Sequence, residues 1–156
     1  MPDRVYLAGP ITGLKYDSTV GWRQRLTALL AGTTIQCFSP MRGKDHLNLV
    51  GVIEHDYPGD ILACQRAIMT RDHFDCERAS VIVANLLKEF MPEDQKPSLG
   101  TVMEIAWGFA YRVPVIAIMD KEGSPYEHPM IKEAVGFRVE TLEQAAETLK
   151  IILCPR

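Results

Sequence analysis

An α/β fold, with one five-stranded parallel sheet and helices on both faces, is the architecture this chain predicts. Three observations lead there. Strand-like and helix-like segments alternate along the whole length. The run Val113 to Met119 is continuously apolar, as strands buried on both faces are. Loop residues rich in glycine and proline punctuate the strand ends. With right-handed crossovers, the commonest strand order for such a chain is 2-1-3-4-5. That order puts the switch point, and so the ligand crevice, beyond the ends of the first and third strands.

The first strand is Arg4 to Ala8, broken by Gly9-Pro-Ile-Thr-Gly13. A helix follows from about Ser18 to Leu30, with Val20, Leu26, Leu29 and Leu30 as its apolar face and Gly32 as a C-cap. Thr34 to Phe38 is the second strand, closed by Ser39-Pro40. Residues 41 to 60 have no clear period and hold three glycines, a proline and two histidines, which predicts a long binding loop or lid with at most one short helix. Ile61 to Glu77 reads as helix and Val81 to Asn85 as the third strand. A charged loop, Leu86 to Ser98, leads to a helix from Thr101 to Tyr111. Val113 to Met119 is the fourth strand, Phe137 to Val139 the fifth, and Thr141 to Leu153 a closing helix.

The 156 residues, 47% of them hydrophobic, suit one domain with a sizeable core and no linker or repeat. A net charge of −3 gives no electrostatic reason to expect a nucleic-acid polymer as partner. No apolar run approaches a membrane span, and the N-terminus enters a strand with no signal peptide. Cys37, Cys64, Cys76 and Cys154 show no CxxC spacing, which points to reduced thiols and a cytoplasmic protein. His46, His55 and His73, with Asp56 and Asp75, invite a metal reading, but none falls at ligand spacing, so no metal is expected. Gly9-x-x-x-Gly13 lacks both the P-loop lysine and the dinucleotide spacing, and no cofactor is expected.

The crevice loops are therefore Gly9-Pro10-Ile11-Thr12-Gly13 and Leu86 to Gly100. Glu104, the one carboxylate of Pro97-Ser-Leu-Gly-Thr-Val-Met-Glu-Ile-Ala106, opens the helix after the second loop. It has two readings. Thr101-x-x-Glu104 is a capping box, and it is also where a catalytic carboxylate would stand. Arg42 and Lys44, just past the second strand, are candidates for donating to a ligand carbonyl or simply solvated loop charges. Asp72 sits in a charged helical run with Arg71, Asp75, Glu77 and Arg78, and Tyr6 reads equally as a core aromatic.

Four segments, in order, resemble the nucleoside 2-deoxyribosyltransferase family and the related deoxynucleoside 5′-monophosphate N-glycosidases. They are Val5-Tyr-Leu-Ala-Gly-Pro-Ile-Thr-Gly13, Thr70-Arg-Asp72 with the helix into Val81, Ser98-Leu-Gly-Thr-Val-Met-Glu104 and Pro114-Val-Ile-Ala117. The resemblance implies a flavodoxin-like, Rossmann-like domain. It also implies that Glu104 is a nucleophile forming a covalent glycosyl-enzyme, that Tyr6 orients it, and that Asp72 contacts the base and helps protonate it as it leaves. A helix N-terminus would keep Glu104 ionised at neutral pH. Ser98 stands where transferases tend to carry aspartate and where the monophosphate hydrolases hold the 5′-phosphate. Pro10 and Thr12 replace the hydrolases' phosphate-binding serine and arginine. His128, two before Met130, falls where the family presents a residue from a neighbouring subunit, so the resemblance implies a homo-oligomer with shared sites. The substrates implied are a nucleoside or nucleoside monophosphate and a free nucleobase. Of base exchange, hydrolysis of a monophosphate and nucleotide binding without turnover, the resemblance favours base exchange, because Pro10 and Thr12 weaken the phosphate loop.

Overall fold

The computed structural model describes residues 1–55 and 61–155. Its elements are β1 (Arg4–Ala8), α1 (Tyr16–Leu29), β2 (Gln36–Phe38), α2 (Gln65–Glu77), β3 (Val81–Asn85), α3 (Leu99–Ala110), β4 (Val115–Ile118), α4 (Pro129–Ala134), β5 (Phe137–Val139) and α5 (Leu142–Leu153). The five strands form one parallel sheet in the order β2-β1-β3-β4-β5. Fold class and strand order are those the sequence predicts.

Alternation along the strands sorts the core into two layers. Val5, Leu7, Val81, Val83, Ile116 and Ile118 meet α1 and α5 through Trp22, Leu26 and Leu149. Tyr6, Ala8, Ile82, Ala84, Val115 and Ala117 meet the other layer through Cys76 of α2, Ile105 of α3 and Ile131 of α4. Helix α3 lies close on the sheet because residue 108 is glycine. A Cβ there would come within 2.7 Å of Val115 Cγ2 and 3.1 Å of Ile82 Cδ1. The fit brings Glu104, one turn earlier, down towards the strand ends.

Several boundaries differ from the sequence reading. Strand β2 starts at Gln36 rather than Thr34, because the Thr33 hydroxyl donates to Leu30 O and accepts from Ile35 N, holding a turn there. Helix α2 starts at Gln65 rather than Ile61. Helix α3 starts at Leu99, with Ser98 as N-cap accepting from Thr101 N at 3.3 Å. Glu104 therefore lies in the second turn, and the expected Thr101–Glu104 capping box is absent.

The long segment after β2 is tied down over its described part. A short 3₁₀ turn, Asp45–Leu49, packs with Met41 and Ile53 into a small cluster against Ile11, Tyr16 and Val20. Gly13 N donates to Ile53 O and Ile53 N to Leu14 O, both at 2.9 Å. The end of that expected loop, including Asp56, lies outside the described residues. No helix among the described residues is long and apolar enough to cross a membrane.

Candidate active site

A cleft of about 700 Å³ opens beyond the C-terminal ends of β1 and β3, where the fold places its crevice. Gly9, Ile11, Thr12 and Gly13 line it from the first loop, Lys44 from the turn after β2, and Ile68 and Asp72 from α2. The segment from Pro92 into α3 closes the other side with Lys96, Ser98, Gly100, Thr101 and Glu104. A second cavity, about 640 Å³ between α1 and the β2 edge, has neither Glu104 nor Asp72 in its wall.

Tyr6 and Glu104 meet because strand alternation turns Tyr6 towards α3 and the second helical turn carries Glu104 to the strand end. The Tyr6 hydroxyl donates to Glu104 Oε1 at 2.6 Å, across 98 residues of sequence, and both side chains are buried. Tyrosine's hydroxyl is held well above its ordinary pKa by burial and by the facing Glu104 and Asp72, so it remains a donor.

Glu104 departs from the sequence expectation. Burial first, and the Asp72 carboxylate second, push its pKa up to about 8, against the opposing effects of the Tyr6 hydrogen bond, Arg23 and Lys44. A residue this far into the helix gains little from the first-turn dipole. The ligand-free carboxyl is thus largely protonated at neutral pH rather than ionised. Asp72 is also raised, by burial, with Lys44 and Arg71 pulling it back. Lys44, 1% exposed, is lowered to about 8 by burial while Asp72 supports its charge. Two carboxyl groups thus titrate together beside a buried amine, and such shifted groups in a cleft are a common signature of functional sites.

Lys44 reaches the cleft because α2 grips the turn that carries it. Arg71 donates to Arg42 O at 2.9 Å and to Pro40 O. Arg42 donates to Asp75 Oδ2 at 2.6 Å, and the Arg4 and Arg42 guanidinium groups lie 4.0 and 5.3 Å from the Phe38 ring centre. Arg42 is therefore engaged with Asp75 rather than placed in the cleft wall.

Of the residues nominated from sequence, Tyr6, Glu104 and Asp72 come together, and Gly9, Ile11, Thr12, Lys44, Ser98 and Gly100 surround them. Pro10, Arg42, His128 and Met130 are not in the cleft wall. His128 caps α4, its Nδ1 accepting from Met130 N at 3.2 Å, and Met130 is 75% exposed. Sequence reading took Thr101 only as a helix cap, yet its buried hydroxyl has no hydrogen-bond partner among the described residues. Arg23, buried behind the first loop, was overlooked. Tyr126 was also overlooked; its hydroxyl accepts from Ser98 N at 2.9 Å and fixes the entry to α3. As a cleft residue Thr101, three residues before Glu104, was findable from helical spacing. Among the described residues no group of His, Cys, Asp or Glu is gathered to hold a metal.

No protein-family model and no curated protein sequence matches the chain. Solved structures do match its fold. A 2-deoxyribosyltransferase from Leishmania mexicana superposes with a TM-score of 0.66 at 14% identity, covering 99% of this chain and 100% of that one. A conserved protein from Enterococcus faecalis gives a TM-score of 0.65 at 16% identity, covering 98% and 100%. A CMP N-glycosidase from Clostridium botulinum gives 0.56 at 13% identity, covering 97% and 100%. Likeness at such identity establishes the shared fold, and function must be argued from the site.

The Glu104 environment makes a stability prediction. A carboxyl raised from 4.5 to about 8 on folding binds its proton more tightly in the native state, so its contribution falls as pH rises between those values. Glu104→Gln keeps an acceptor for Tyr6 and removes the charge. The variant should therefore gain stability over wild type by more than about 1 kcal/mol between pH 5 and pH 9, each pKa unit being worth roughly 1.4 kcal/mol. Thermal unfolding of both proteins across that range checks it; a difference that stays flat with pH would show that Glu104 is not buried as a raised acid.

Proposed function

We propose that the protein is a nucleoside 2-deoxyribosyltransferase, cleaving the N-glycosidic bond of 2′-deoxynucleosides and passing the sugar to another base. The observation that carries this reading is the buried Tyr6–Glu104 hydrogen bond, with Asp72 in the same cleft wall. The fold shared with a 2-deoxyribosyltransferase and a CMP N-glycosidase is consistent with it.

Glu104 attacks C1′ of the sugar while Asp72 delivers a proton to the departing base, so the C1′–N bond breaks as the C1′–Oε bond forms. An incoming base then attacks C1′, the ester bond breaks, and two displacements give net retention. Tyr6 holds the glutamate in line, and Lys44 offers an ammonium to a base carbonyl. The roles require Glu104 ionised and Asp72 protonated. The active form therefore holds one proton between the two carboxyls, and kcat/KM falls as pH rises through about 8, where that last proton leaves. Positive charge developing on the sugar in the transition state favours the ionised form once substrate is bound.

A second reading, hydrolysis of a nucleoside 5′-monophosphate, is favoured by the N-terminal turn of α3, where Ser98, Gly100 and Thr101 line the cleft beside Lys96. Pro10, outside the cleft wall, and the absence of an arginine at Thr12 weigh towards the free nucleoside. We also propose a homo-oligomer with shared sites. Leu99, Met103 and Met130 are 81%, 42% and 75% exposed on α3 and α4, the apolar side chains a subunit contact would cover. A cytoplasmic setting accords with four free cysteines.

Incubating the protein with a 2′-deoxynucleoside, its 5′-monophosphate and a foreign free base separates the readings. The expected result is a new deoxynucleoside carrying the foreign base. Free sugar phosphate without exchange would replace transfer by hydrolysis, and no bond cleavage in any mixture would leave a binding module.

The shared site has its own test by complementation. Inactive Glu104→Ala and impaired His128→Ala proteins, mixed so that subunits exchange, should regain part of the lost activity. No recovery despite demonstrated exchange would make His128 a surface helix cap only.

A further inference from the structure

Arg23 stands on α1 with only 2% of its surface exposed. Its Nε donates to Leu7 O and its Nη2 to Gly9 O, each at 3.1 Å, and its Nη1 donates to Thr19 O. Two of the three acceptors lie where β1 ends and the first cleft loop begins. The neighbouring Trp22 ring completes the grip, with the Arg23 guanidinium 4.4 Å from its centre. At Gly9 a Cβ would meet Trp22 Cζ2 at 2.9 Å, so the loop can approach this closely only as glycine.

The charge needs its own account. No carboxylate among the described residues forms an ion pair with Arg23, and a buried, unpaired cation costs several kcal/mol. Binding carbonyls asks only for N–H donors, which a neutral amide also carries. The ionisable groups this charge acts on are Tyr6, Glu104 and Asp72, the three that meet at the cleft.

We infer that Arg23 is a positioning residue for the reaction proposed above: it locks the end of β1 and the first loop onto α1 and holds a fixed positive charge facing Glu104 and Asp72. The inference rests on that functional reading for its consequence, but not for its geometry. The groups acting on Glu104 come from several sides: Tyr6 from β1, Asp72 from α2, Lys44 from the turn after β2 and Arg23 from α1, while Cys76 of α2 and Tyr126 before α4 feel its charge in turn. Arg23 is the one whose charge is buried behind the loop, where substrate cannot displace it.

Two variants separate charge from grip. Arg23→Gln keeps donors and loses charge, whereas Arg23→Lys keeps charge and loses the planar fork. The direct readout is a carbon-13 titration of the Glu104 carboxyl in the ligand-free protein, assigned by its loss in Glu104→Gln. Arg23→Gln should raise the midpoint by about one pH unit or more, and Arg23→Lys should leave it within about half a unit of wild type. With an active substrate, Arg23→Gln should lower kcat at pH 7 by about tenfold or more with little change in KM, and move the acid limb of kcat upward. An unchanged Glu104 midpoint in folded Arg23→Gln would overturn the inference. So would a midpoint in Arg23→Lys that moves as far as charge loss predicts, which decides the matter if Arg23→Gln does not fold. Because the titration needs no turnover, a wild-type protein inactive on nucleosides would remove the functional reading and still leave the role of the Arg23 charge measurable.

Discussion

Burial of two carboxyl groups, Glu104 and Asp72, at the open end of a parallel sheet is the constraint around which the rest of this molecule is arranged. The Asp72 carboxylate raises the affinity of Glu104 for a proton, Asp75 does the same for Asp72, and burial raises both. Left alone, such a pair stays protonated and chemically quiet. Three groups act against that tendency: the Tyr6 hydroxyl at 2.6 Å, the Lys44 ammonium and the Arg23 guanidinium. They come from β1, from the turn after β2 and from α1, so the electrostatics of the cleft depend on the whole β1 half of the fold being in place.

Much of the less obvious architecture serves that placement. Arg71 grips the backbone of the turn before Lys44, and Arg42 closes onto Asp75 beside Phe38. Helix α2 thus carries Asp72 and also holds the turn that presents its cationic partner. On the same face of the sheet, Gly108 lets α3 sink onto Ile82 and Val115, bringing Glu104 within reach of Tyr6. Tyr126 ties down Ser98 and so the start of the same helix. The placement of Asp72, Lys44 and Glu104 is therefore set by packing outside the cleft.

The fold was legible in the chain because parallel strands advertise themselves. The segments Arg4–Ala8, Val81–Asn85 and Phe137–Val139 are observed with the bounds read from sequence. Helix starts were less legible. Ser98 and Thr101 are both good caps, and only the packing of α3 on the sheet selects Ser98. That shift of one turn removed the capping explanation for Glu104 and, with it, the expectation that the helix dipole keeps the residue ionised. Arg23 escaped notice because a charged helical residue reads as solvent-facing; its burial depends on carbonyls of β1 that no local pattern reveals. Arg42 and Lys44, two residues apart in similar loop chemistry, diverge for a similar reason. Asp75 and Phe38 take the first, while the second turns to the cleft.

The central claim is that Glu104 bonds to the sugar. The measurement that tests it most directly is mass spectrometry of the protein quenched in acid during turnover of a 2′-deoxynucleoside without acceptor base. The account predicts a mass increase of one 2-deoxyribosyl group, mapped to the peptide holding Glu104, and its loss on adding a free base. An enzyme that turns substrate over with no adduct on Glu104, or with the adduct on another residue, would contradict it.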